Sequence, residues 1–198
     1  MPVIQKPLGE GQILWLGVNR ERGTFSTARG QINITNDGIA DDIYRGLSRF
    51  MSAHDVDYFA TDGTKRNIQV LNHRQITLVE QSEVEDAGRE AQVTIEPGML
   101  RENLVVRFFP TAGISFSALP AFSRMVIAGD APKVLFLTEE NGPCDSITGP
   151  IGLHYHNTTL RKTLKSTLKQ RRGKLAMVQT MEHALIHIGD TFTIYPPM

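Results

Sequence analysis

The sequence predicts a mainly β fold, largely antiparallel, with a few short helices and one longer helix in the C-terminal half. Short β-branched and apolar runs recur along the whole chain, each closed by Gly, Pro or Asn turns. Only Thr158 to Arg171 (TTLRKTLKSTLKQR) carries a clean helical stripe, with Leu160, Leu164 and Leu168 at i, i+4 and i+8. Strand is therefore expected for more than about a third of the residues, and this segment should form the longest helix.

Taken in order, Gln12 to Val18 (QILWLGV) reads as a buried strand bracketed by Gly11 and Gly17. Gly30 to Thr35 (GQINIT) alternates, with Ile32 and Ile34 on one face and Asn36, Asp37 and Gly38 as its turn. Asp41 to His54 places Ile43, Leu47 and Phe50 at helical spacing, which predicts a short helix or helical turn despite Gly46. Asn67 to Leu71 and Gln75 to Glu80 follow as strands, then an acidic helix from Gln81 to Gly88 and a strand at Ala91 to Ile95. Strand character resumes within Met99 to Phe109, at Arg124 to Ile127 and at Lys133 to Thr138, the last two joined around Gly129 and Asp130. The chain closes with strands at Leu175 to Gln179, Leu185 to Ile188 and Thr191 to Tyr195, with a hairpin at Gly189 and Asp190.

The 198 residues, 40% of them hydrophobic, suffice for one sizeable domain spanning 1–198. Lys plus Arg equals Asp plus Glu at 21 each, so no global field points to nucleic acid. The basic stretch from Arg161 to Lys174 lacks the interleaved aromatics of a nucleic-acid face and reads as a solvated surface. No segment has the apolar length of a membrane span, and the N-terminus lacks a signal-type apolar core, so a soluble, cytoplasmic protein is expected. One cysteine excludes an intrachain disulfide and a structural zinc site built on paired thiolates.

That cysteine, Cys144, is the first candidate for chemistry. It follows the strand ending near Thr138 and the breaker run Glu139, Glu140, Asn141, Gly142, Pro143, in a polar loop with Asp145 and Ser146. Free cysteine is commonly a small buried hydrophobe, but this neighbourhood favours presentation to a partner. Asp145 opposes thiolate formation by like-charge repulsion, so a reactive Cys144 needs a cation or metal nearby. A second candidate is the loop Thr61 to Arg66, where Gly63 lets backbone amides converge and Lys65 and Arg66 add the positive charge an oxyanion requires. Asn103 lies at the mouth of a strand, where it either bonds its own turn or faces a ligand. His154 and His156 would share a face in an extended segment, too few for a closed metal site.

Several blocks stand in a definite order around the lone cysteine: Ile95, Pro97 and Gly98 ahead of Glu102 and Asn103; Gly129 and Asp130; Pro143 and Cys144; then Arg172 and Gly173 with Val178, Ile188, Gly189 and Asp190. From about Gln69 to the C-terminus the chain thereby resembles a stand-alone MOSC domain, the family related to the C-terminal domain of molybdenum cofactor sulfurases. The resemblance implies a β-rich, barrel-like domain whose cysteine, matched by Cys144, carries sulfur or ligates the molybdenum of a pterin cofactor (molybdopterin). A soft thiolate suits molybdenum, and the cofactor's phosphate calls for cations such as Lys65, Arg66 or Arg172. Arg66, Asn103 and Arg172 are thus expected to converge with Cys144 on one pocket. The implied activities are sulfur transfer, with a pyridoxal-phosphate-dependent cysteine desulfurase as partner, or molybdenum-dependent reduction of an N-hydroxylated small molecule, with a redox partner. The alternative is a binding module without turnover. The chain departs from the family's pattern at Arg101 and Arg107, where glycine is usual, and in lacking a histidine-rich loop near Asp62 and Gly63.

Overall fold

The computed structural model describes residues 5–50, 68–111, 113–129, 133–180 and 183–198. Its centre is a seven-stranded barrel of β1 (Gly9–Val18), β7 (Ile76–Glu80), β8 (Leu104–Pro110), β9 (Ser123–Ile127), β10 (Lys133–Glu140), β11 (Lys174–Gln179) and β13 (Thr191–Tyr195), in the cyclic order β13-β9-β10-β11-β7-β8-β1. β1 closes the ring by pairing with two neighbours: Gly9 to Gln12 face β13, and Gly9 to Leu16 run against β8. At Gly11 an added Cβ would lie 2.2 Å from the Arg107 carbonyl oxygen and 2.3 Å from the Phe192 ring, so only glycine admits this close packing. The register slips between Ile13 and Trp15, a bulge beyond which Leu16 to Val18 also pair with β2 (Thr27–Arg29).

The pair β7–β8 is parallel and is joined through α1 (Gln81–Glu90), as a parallel connection demands. Glu80 caps α1 by accepting the Glu83 amide at 3.0 Å. Small accessory sheets flank the barrel: β12 (Ala184–His187) with β3 (Gln31–Thr35) and β4 (Gly38–Ile39), and β5 (Ser48–Phe50) with β6 (Gln69–Leu71).

Two apolar cores result. Ile13, Leu16, Leu78, Val106, Met125, Leu135 and Ile194 fill the barrel. Val79, Val105 and Leu100 face outward, against Val84 and Ala87 of α1, Ile147 and Ile151 of α2 (Asp145–His154), and Leu160 and Leu164 of α3 (Leu160–Thr167). The leucine stripe therefore packs as its spacing predicts. Each fully buried leucine contributes about 1.5–3 kcal/mol, which holds a helix too short to persist alone.

The structure corrects several sequence expectations. α3 covers only the middle of Thr158 to Arg171, flanked by turns, and is shorter than the ten-residue α1 and α2. α2 occupies a segment expected to be loop and turn. Gly149, Pro150 and Gly152 sit inside it, and burial of Ile147 and Ile151 outweighs the hydrogen bond that Pro150 removes. The described part of the helix expected over Asp41 to His54 is turns followed by β5: the Asp42 carboxylate takes the Tyr44 amide at 2.8 Å and Gly46 has φ +137°, both favouring turns. Ala91 to Ile95 is not a strand; its apolar side chains cover the end of α1 without entering a ladder. Gly189 and Asp190 link strands of different sheets, not a hairpin, and hold both Ile13 backbone groups instead, the Gly189 amide at 2.8 Å and the Asp190 carbonyl at 2.9 Å.

Candidate functional site

Where β10 leaves the barrel and β11 enters it, the two segments lie side by side. The Asn141 amide donates to the Gly173 carbonyl at 3.0 Å, and the buried Arg172 guanidinium donates through Nη1 to the Gly142 carbonyl. Gly173 is indispensable to this contact: it has φ +81°, and an added Cβ would sit 1.9 Å from the Leu78 carbonyl oxygen. The connection from Gly142 to Arg172 carries α2 and α3, and Cys144 is the residue that caps α2.

Cys144 is half-buried, with extended backbone (φ −134°, ψ 168°). Its carbonyl accepts the amides of Ile147 and Thr148 at 3.1 and 3.0 Å, which starts α2 and sets the side chain at the positive end of the helix, partly packed against the second core. The sulfur lies 2.9 Å from the Ser146 hydroxyl. The neighbouring Asp145 is neutralised where it stands: a hydrogen bond from Arg161 Nε and one from Lys165 Nζ at 2.6 Å hold its carboxyl well below the usual carboxylate range. The sequence-level objection that Asp145 repels a thiolate is thus met by two cations of α3.

Cys144 opens onto a cleft of about 400 Å³ whose other walls include Tyr44, Arg74, Arg101, Glu139, Asn141, Ser146 and Arg172. Burial pulls the Arg172 guanidinium down to about 10, Cys144 and Glu102 oppose the shift, and Arg101 adds to it by like-charge repulsion. Arg172 remains a cation at neutral pH and senses the thiol directly. Its Nε, Arg101 Nε and Asn141 Nδ2 are buried without a hydrogen-bond partner among the described residues. On the opposite wall Glu139 is already engaged, by His73 Nε2 at 3.0 Å and Arg74 Nε at 2.8 Å.

Beneath the cleft lies a polar layer that sets its floor. Asn103 receives the Thr77 amide at 2.9 Å and donates to the Asp42 carboxylate at 2.7 Å and the Gly17 carbonyl at 3.2 Å. Asp42 in turn takes the Asn19 amide at 2.7 Å, and Asn19 Nδ2 donates to the Arg101 carbonyl at 3.2 Å. Arg101 and Tyr44 are positioned by this network. Glu102 points inward, fully buried: one oxygen takes the Gly98 amide at 2.6 Å, the other has no partner, and burial raises its carboxyl to about 7.

Of the residues expected to meet, Cys144 and Arg172 share the cleft. Asn103 lies in the layer below it, with its side chain committed to protein partners. Lys65 and Arg66, with Asp62 and Gly63, fall outside the described residues. His154 ends α2 and His156 stands in the following turn at φ +49°, so the two do not share an extended face. No group of three or more His, Cys, Asp or Glu able to hold a metal ion occurs among the described residues. Tyr44, Arg101, Asn141 and Ser146 went unassigned at the sequence level. Of these only Ser146, two residues after the cysteine, and Arg101, beside the Glu102–Asn103 pair, carried a local signal.

No described helix is long and apolar enough to cross a membrane. Among solved structures the fold is similar to YuaD from Bacillus subtilis, at 20% identity and a TM-score of 0.82, covering 96% of this chain and 97% of that one. It is also similar to YiiM from Geobacillus stearothermophilus (12% identity, TM-score 0.56, 93% and 74% covered). YiiM from Escherichia coli gives 12% identity and a TM-score of 0.53, with 94% and 71% covered. No curated protein matches by sequence. The sequence model of the MOSC domain matches residues 65–193, more than half of the chain, and encloses β6 to β12, Cys144 and the lining of the cleft apart from Tyr44. The chain belongs to the MOSC domain family.

Proposed function

We propose that the Cys144 cleft binds a molybdenum cofactor of the pterin type and that Cys144 is its protein ligand. One observation carries this: a single thiol at a helix N-terminus faces a cleft that also holds a buried arginine with an unpartnered Nε. The donor set fits the cofactor. The described residues offer one thiol and no group of three or more His, Cys, Asp or Glu, so a metal held here would draw its remaining ligands from an organic cofactor. Arg172 and Asn141 supply donors for the cofactor's anionic and carbonyl groups, and the Ser146 hydroxyl orients the sulfur. When bound, the cofactor supplies two-electron redox chemistry; the chain holds the thiolate, neutralises Asp145 and presents cations to bound anions. In its sharper form the proposal is a reductase of N-hydroxylated small molecules.

The test is expression in a host that makes the cofactor, followed by elemental analysis, cyanide-labile sulfur and melting of wild type and Cys144→Ser. Molybdenum is expected in wild type and lost in the variant, with the melting temperature little changed, because serine is nearly isosteric with cysteine and the position is only half-buried. A Cys144→Ser variant that keeps its molybdenum refutes the assignment. Labile sulfur without molybdenum transfers it to sulfur carriage on the same residue.

A further inference from the structure

Arg101 has features that the fold alone does not require. It sits in the left-handed region at φ +59°, a conformation strained for a non-glycine residue. The residue is 5% exposed, lines the cleft and places a second buried guanidinium close enough to Arg172 for the two to repel. Neither arginine forms an ion pair among the described residues. Arg101 donates through Nη2 to the Glu21 carbonyl at 3.2 Å and stacks over the Tyr44 ring at 5.6 Å, while its Nε is buried and unpartnered. The nearby carboxylates compensate only in part: Glu139 is held by His73 and Arg74, and Glu102, which attracts Arg172, is pushed up to about 7 by burial and is only partly ionised at neutral pH. Two buried, like-charged and incompletely bonded groups on one cleft are stabilised by an anion between them.

We propose that Arg101 and Arg172 form an oxyanion subsite beside Cys144, so that the cleft selects a reactant bearing a carboxylate, sulfate or phosphate group. Tyr44 packs against Arg101 and holds its guanidinium over the subsite. The proposal rests on the reading that the Cys144 cleft is the functional site, but it concerns charge selection and does not depend on which metal or cofactor is present.

The chain's single cysteine makes the test clean, because every thiol alkylation, read as loss of the free thiol, reports Cys144. Rate constants for iodoacetate (anionic) and iodoacetamide (neutral, same leaving group) are measured on the full-length chain purified from a host lacking the cofactor. Their ratio cancels the thiolate fraction and reads the local charge. Wild type is expected to favour iodoacetate relative to a small neutral thiol, and Arg101→Gln to lower that ratio by about tenfold, the size set by one charge at short range in a partly buried site. Arg101→Lys should keep most of the preference. If the glutamine variant fails to fold, Arg101→Gly serves, since glycine adopts φ +59° without strain. Inorganic sulfate that slows alkylation of wild type but not of the Arg101 variants identifies a site for free oxyanions. A charge preference without sulfate competition identifies one that accepts the anion only as part of a larger molecule. A wild-type ratio equal to that of the small thiol, or one unmoved by replacing Arg101, overturns the proposal. Failure to load molybdenum leaves this test standing, so the two proposals fail separately.

Discussion

Replacing Glu102 by glutamine is expected to change how stability depends on pH while leaving the fold in place. Burial raises this carboxyl from 4.5 to about 7, against the hydrogen bond from the Gly98 amide and the attraction of Arg172. The unfolded chain therefore loses the proton first as pH rises. Between those values the folded state binds more protons, so stability is highest below the unfolded value and falls as pH rises through the folded one. At about 1.4 kcal/mol per unit, ionising Glu102 removes about 3 kcal/mol of stability by neutral to mildly alkaline pH. Glutamine keeps the acceptor for Gly98 but cannot ionise; its amide NH₂ replaces the unpartnered oxygen at a cost of about 1 kcal/mol or more. Urea denaturation of wild type and Glu102→Gln at about pH 5 and about pH 8 isolates the group, because all other titrations cancel in the difference. The variant is expected to be equal or weaker under acid conditions and stronger by about 1–2 kcal/mol in alkali. A difference between the two proteins that does not vary with pH, or that varies with the opposite sign, refutes the account of Glu102 as a buried, largely protonated carboxyl.

Asn103→Ala strands the Thr77 amide and leaves the buried Asp42 carboxylate without its Asn103 donor. It is expected to cost about 2–4 kcal/mol in chemical denaturation, and a loss below about 1 kcal/mol would mean that water replaces these bonds. Gly173→Ala brings a Cβ 1.9 Å from the Leu78 carbonyl oxygen at φ +81°. A melting temperature lowered by about 8 °C or more, or failure to fold, is expected, and a melt within about 1 °C of wild type would contradict the close packing of β11 on β7.

Patterning in the chain determines the β-rich architecture, because a strand's alternation and a helix's stripe are local properties. Ile32 and Ile34, the run from Leu135 to Leu137, and Leu160, Leu164 and Leu168 all show in sequence which face is buried. The place of Cys144 was legible for the same reason, as a thiol behind a proline just past the end of a strand. What pattern misleads about is any element stabilised by distant contacts: α2 forms through Gly149, Pro150 and Gly152 because Ile147 and Ile151 find a second core that no local window contains. Asn103 is assigned by its partners Thr77, Asp42 and Gly17, which lie in separate segments of the chain. The environment of the thiol was likewise undecided in sequence. Asp145 reads as a repelling neighbour until α3 folds back to place Arg161 and Lys165 on it, and Arg101 reads as a departure from glycine until Asp42 and Asn19 pin its backbone beneath the cleft. Charge at a site is a sum over groups brought close by folding, and burial sets how strongly each is felt, so neither can be read from residues in line.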